Sequence, residues 1–178
     1  MGHVDPHSIK IIPAAARAFF NANRYAVVGR VISDPSRFDN KASPPFPSLP
    51  RPRSHAQVLK WYQDRNLPVT PVRNNPKFPN TEPIEGLTAV KSPLELKELD
   101  KTSLSWILHP ALGFPLLKEL YGPEAKGKSP VGVWIQPGAE SDEIEAFIKE
   151  HGLEDKIVVG GACILVHGDA ARAGEAKL

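Results

Sequence analysis

Short unbroken apolar runs alternate along this chain with stretches in which apolar residues recur every three or four positions. The runs are YAVVG (25–29), LPVTPV (67–72), LSWILH (104–109), VGVWIQ (131–136) and KIVVGG (156–161). Apolarity without a polar alternate predicts parallel strands covered on both faces. The stretches between them predict helices with readable ends. In SHAQVLKWYQDRN, Ser54 stands as N-cap and Val58, Leu59 and Tyr62 share a face. Ser92 caps SPLELKELD, and Pro93 takes the first helical position, where a missing amide proton costs nothing. LGFPLLKELYG stops at Gly122, and SDEIEAFIKEHG runs from Ser141 to Gly152. PAAARAFF (13–20) reads as a helix packed on the sheet, and LTAV (87–90) as an extra edge strand. This is βαβ alternation, so the fold class is α/β: a doubly wound, mostly parallel sheet in three α/β/α layers.

One domain is expected over residues 13–168, with a flexible arm before it (1–12) and a loose tail after it (169–178). The regular spacing breaks once. SRFDNKASPPFPSLPRPR (36–53) separates the first strand from its helix, where a few residues are usual. Its prolines, concentrated from about residue 38 onward, hold it extended. It reads as a surface loop or as a lid carrying Arg51 and Arg53 toward phosphate.

Composition narrows the function. A length of 178 residues with 41% apolar content fits one domain with a substantial core. A formal net charge of +2, with basic residues dispersed, gives no nucleic-acid surface and leaves room for a local anion site. The single cysteine, Cys163, excludes an internal disulfide and a Cys-rich zinc site. No apolar run approaches the roughly 18 residues of a membrane span. A cytoplasmic setting is the simpler reading, and the Arg- and Ala-rich, acid-poor stretch 8–33 keeps the mitochondrial matrix open.

A doubly wound sheet binds its ligand beyond the carboxyl ends of the strands, where strand order reverses. The residues there are Gly29, Arg30 and Val31; PVRNNPK (71–77); His109 and Pro110; Gln136, Pro137 and Gly138; and GGAC (160–163). Gly29 lets the backbone turn and approach a ligand. The dinucleotide fingerprint G-x-G-x-x-G is not met, because GRVISD has Val31 and Asp34 where the second and third glycines belong. PVRNNPK supplies Arg73 and Lys77 in place of the acid that would hold ribose hydroxyls. Such cations favour a phosphorylated ribose or a phosphate chain, although a solvated charged face has the same composition. There is no G-x-S-x-G, H-E-x-x-H or Walker loop, and EAKGKSP (124–130) reads as a solvated turn. His109 is the histidine best placed for a site, or else bonds the backbone. Cys163 reads as a buried, inert thiol, with a mixed disulfide to a thiol ligand as the sharper alternative.

Taken together, AVVGRVISDPSR, SHAQVLKWYQDRNLPVTPVRNNPK, EGLTAVKSPLEL and WIQPGAESDEIEAFIKEHGLEDKIVVGGAC resemble the stand-alone CoA-binding domain family, related to the nucleotide-binding domain of the succinyl-CoA synthetase α-subunit. The resemblance runs over about residues 14–168. It implies a Rossmann-like, NAD(P)-binding-like sheet with LTAV as third strand and an order near 3-2-1-4-5-6. It implies CoA as the ligand, with the pyrophosphate at Gly29, Arg30 and Val31 and a hydroxyl from Ser54 at the helix start. Asn75, Pro76 and Lys77, beside Arg73, would meet the adenosine and its phosphate. His109 and Pro110 would flank base or ribose, and Gln136, Pro137 and Gly138 would line the far wall.

The chain departs from the family pattern at Arg30 and Val31, where a small residue and a serine are usual. It departs again in the residues added within P-V-N-P-K, at His109 and in the proline-rich insertion. NADP, ADP and ATP therefore stand beside CoA. The expected function is a non-catalytic or regulatory module with an adenine-nucleotide small molecule as partner. An NADP-linked oxidoreductase, a CoA-ligase-related enzyme with His109 as phosphate acceptor, and a scaffold with a vestigial site are the alternatives.

Overall fold

A computed structural model describes residues 6–29, 56–74, 83–123, 125 and 129–177, apart from the side chains of Ala56 and Gln57. The proline-rich stretch, Arg30, Val31, Ser54, Asn75, Pro76 and Lys77 lie outside the described residues. Among the described residues five strands form one parallel sheet: β1 (Arg24–Val28), β2 (Val69–Val72), β3 (Thr102–Trp106), β4 (Gly132–Ile135) and β5 (Ile157–Val158). Their order is β2-β1-β3-β4-β5. Each grows from one of the five apolar runs.

Helices cover both faces. On one lie α1 (Ala14–Ala18), α2 (Ala56–Gln63) and α5 (Ile164–Arg172), packed with Phe19 against Tyr25, Val27, Trp134 and Val158. On the other lie α3 (Pro110–Tyr121) and α4 (Asp142–Glu150), whose Leu116, Leu117, Leu120, Ile144 and Phe147 meet Ala26, Val28, Leu104, Trp106 and Ile135. Alternate strand residues thus feed two cores, which is why the runs are apolar throughout. The serines of β3 face the α2 side and are satisfied there. Ser103 donates to the carbonyl of Phe19 at 2.8 Å, and Ser105 shares a 2.7 Å bond with the Tyr62 hydroxyl.

Several elements differ from the sequence reading. SPLELKELD forms only short 3-10 turns, Pro93–Glu95 and Leu99–Lys101. Ser92 does cap the first, accepting from the Leu94 amide, but Leu96 is already extended. Residues 169–172, expected as tail, are the last turn of α5. Ile12, expected in the arm, is buried and donates to the Ala176 carbonyl at 2.9 Å, and Ile11 pairs antiparallel with Lys177.

LTAV contributes a single parallel bridge, Val90 to Val72, beyond β2. Counting it as a strand gives the expected order 3-2-1-4-5-6. Its brevity has a chemical cause in Pro71. The bridge consists of Val90 N–H to the Pro71 carbonyl (3.1 Å) and Arg73 N–H to the Val90 carbonyl (3.0 Å). The next rung toward the amino end would need an N–H from residue 71, which proline lacks.

Candidate functional site at the carboxyl edge

The chain leaves β1 for β2 on one side with α2 on one face, and leaves β3 for β4 and β5 on the other side with α3 and α4 on the opposite face. Strand order therefore reverses between β1 and β3, and the carboxyl ends there frame the crevice where such sheets hold ligands. Gly29 stands on one side of it and Ile107 on the other. The Ile107 amide still bonds the Val28 carbonyl at 2.8 Å, and the Gly29 amide bonds Val72 at 3.1 Å. A Cβ on Gly29 would lie 3.0 Å from the Ile107 carbonyl oxygen and 3.2 Å from its Cβ. Glycine is required here by crowding between neighbouring strands, beyond any need for a turn.

His109 follows on the β3 side. It is exposed and serves as N-cap of α3, its Nδ1 accepting from the Ala111 amide at 3.3 Å, with Pro110 at the first helical position. Its carbonyl accepts from Leu112 and Gly113. The positive end of the α3 dipole thus faces the edge, while the local amides are bonded to His109 itself. Behind this turn, Gly113 admits the Trp106 ring: a Cβ there would come within 2.7 Å of the indole nitrogen.

Arg73, at the end of β2, is 6% exposed, which removes the reading of it as part of a solvated face. Gln136 is 3% exposed and engaged inward. Its Oε1 accepts from the Ile164 amide at 3.1 Å and its Nε2 donates to the Trp134 carbonyl at 3.4 Å. The side chain holds the start of α5 to the end of β4. Pro137 and Gly138 remain at the rim; Gly138 adopts a φ of +89° with open space where a Cβ would be, and its amide donates to Glu140.

Cys163 caps α5 without a side-chain bond, and burial pushes its thiol up, away from the reactive thiolate. His167, fully buried one turn on, brings Nδ1 to within 3.2 Å of the Cys163 amide and Nε2 to within 3.4 Å of the Ile9 carbonyl. Two features escaped sequence reasoning: the inward commitment of Gln136, and the Gly113 fit to Trp106. A glycine inside a helical pattern was the only signal for the second.

With this geometry in place, a family comparison decides the assignment. The family model for the CoA binding domain matches residues 49–169, about two thirds of the chain. The chain belongs to the CoA-binding domain family. Within this CoA-binding domain the match takes in every element from α2 to β5 and most of α5, so β1 and Gly29 precede it. CoA binding is thereby its general function, and its ligand class is a nucleotide-type small molecule. No curated protein and no solved structure matches the chain. Among the described residues, no helix of the CoA-binding domain is long and apolar enough to cross a membrane, and no His, Cys, Asp and Glu cluster could hold a metal ion.

Proposed function

We propose that the protein is a non-catalytic or regulatory module that holds CoA across the carboxyl edge at the β1/β3 reversal. The observation that carries this reading is Gly29 seated without room for a side chain against Ile107, which puts bare backbone at the last described residue on the β1 side of the crevice. In this reading Gly29, Arg30 and Val31 take the pyrophosphate, and Ser54 and the helix start behind it add a hydroxyl and a favourable dipole. Arg73, Asn75, Pro76 and Lys77 hold the adenosine and its phosphate, His109 and Pro110 flank base or ribose, and Pro137 and Gly138 form the far rim. Gln136 acts by fixing that rim to α5.

A non-catalytic role is supported by how the candidate groups are occupied. His109 uses Nδ1 to cap a helix, and burial pushes the Cys163 thiol up, away from the nucleophilic form. The test is the melting temperature of the full chain with CoA, NADP, ADP and ATP. At 100 times its dissociation constant a ligand adds about 2.7 kcal/mol, and each kcal/mol raises the midpoint of a domain this size by about 2–4 °C. CoA is expected to produce the rise, and Lys77→Ala to diminish it. A rise with NADP or ATP and none with CoA would replace the ligand, and turnover of an acyl-CoA lost in His109→Ala would replace the non-catalytic role.

A further inference from the structure

At the opposite, amino end of the strands, on the α3/α4 face, a cleft of about 320 Å³ opens between the sheet and the connection that carries the 3-10 turns. Arg24, Thr70 and Thr102 enter it from the strands, and Thr88, Val90, Leu96 and Lys97 from the connection. It exists because the Val90 bridge cannot extend: with no N–H on Pro71, the segment at Thr88 is not drawn onto β2.

The polar groups of the cleft divide into spent and spare. Glu98 is spent, with one carboxylate oxygen on Arg24 Nε and the other on Lys101 Nζ, both at 2.8 Å. The Thr102 hydroxyl is spent on the Glu98 carbonyl at 2.7 Å, and Glu95 accepts from the Lys91 amide. The Lys97 ammonium and the hydroxyls of Thr70 and Thr88 have no partner among the described residues, and only Nε of the Arg24 guanidinium is engaged. Arg24 and Lys97 against Glu95 and Glu98 leave the lining formally neutral, but both Glu98 oxygens are already taken. Spare donors therefore exceed spare acceptors, and Val90 and Leu96 offer an apolar wall beside them.

We propose that this cleft is a second binding site, for a small monocarboxylate with a short apolar body. The carboxylate sits on the free guanidinium edge of Arg24 and on Lys97, geometry that an arginine fork suits, and the apolar body lies on Val90 and Leu96. Glu95 and Glu98 in the same lining set the selectivity, since a dianion such as phosphate would meet their charge.

The experiment is a titration of the 15N-labelled full chain with isovalerate, followed amide by amide, beside neutral isovaleramide and inorganic phosphate. Saturable shifts at Thr70, Thr88 and Lys97 are expected with isovalerate alone. Loss of a charge-assisted contact should weaken binding about tenfold or more in Arg24→Gln and in Lys97→Gln. Thr88→Trp, which fills the cleft without touching a charge, should abolish it. Equal shifts with isovaleramide or phosphate, binding unchanged in these variants, or no saturable shift would each overturn the proposal. The outcome does not depend on what occupies the carboxyl edge.

Discussion

The two edges of the sheet are closed by different means. At the β2 edge, main chain meets main chain: Val90 and Lys91 bond Pro71, Arg73 and Asn74 through backbone groups, and Pro71 ends the pairing after one bridge. At the β5 edge, where the main-chain ladder is Ile157–Val158 alone, side chains of β4 and the residue after it extend the join. The Trp134 indole donates to the Ala162 carbonyl at 2.8 Å, and Gln136 accepts from Ile164 at 3.1 Å. A side-chain closure depends on the identity of each bonding side chain, whereas a main-chain closure depends on identity only where an N–H is missing, as at Pro71. The two edges should therefore respond differently to substitution.

Gln136→Leu should show the largest effect. It leaves the buried Ile164 amide without an acceptor, a loss of about 1–3 kcal/mol, measurable as a lower urea midpoint with an unchanged slope. Stability within about 0.5 kcal/mol of the original would remove the distinction between the edges.

Asp169→Asn comes next. Arg65 of the turn after α2 holds Asp169 of α5 by two bonds, one of them Nε to Oδ1 at 2.6 Å, while stacking over Trp61 at 4.1 Å. Asp169 is mostly exposed, so the loss should be discounted to about 0.5 kcal/mol. Arg65 lowers the Asp169 carboxyl from its ordinary value. The contribution is therefore present above the unfolded-state value of about 3.9 and is lost as pH falls through the lower folded value. The gap between the two proteins in acid unfolding should hold at neutral pH and close toward the acid end.

Pro71→Val, at the main-chain edge, should change stability least, by about 0.5 kcal/mol or less. Its new amide should be protected from hydrogen exchange if the Thr88 carbonyl accepts it. A freely exchanging amide there would mean that something other than proline ends the pairing.

The five runs revealed the strands because a parallel sheet covered on both faces leaves a continuous apolar trace. The β3 ladder nevertheless lies at 102–106, earlier than the run LSWILH, since Thr102 and Ser103 look polar in sequence and are satisfied only by partners elsewhere in the chain. SPLELKELD carried helical residues and a working cap, yet Leu96 is already extended and the turn ends after Glu95. At the candidate site, Gly29 was legible as a special position, but its reason, Ile107, comes from a distant strand. Gln136 was read as part of the ligand wall, and its bond to the start of α5 was invisible because it joins the end of β4 to a helix that follows β5.

The pairing of Ile11 with Lys177 and of Ile12 with Ala176 has a mechanical side. A pull applied through the segments outside these residues reaches this antiparallel clasp before any strand of the sheet. Because its two segments run antiparallel, it is peeled open and not sheared, and it parts at low force. The five parallel strands bear load only after the clasp has parted.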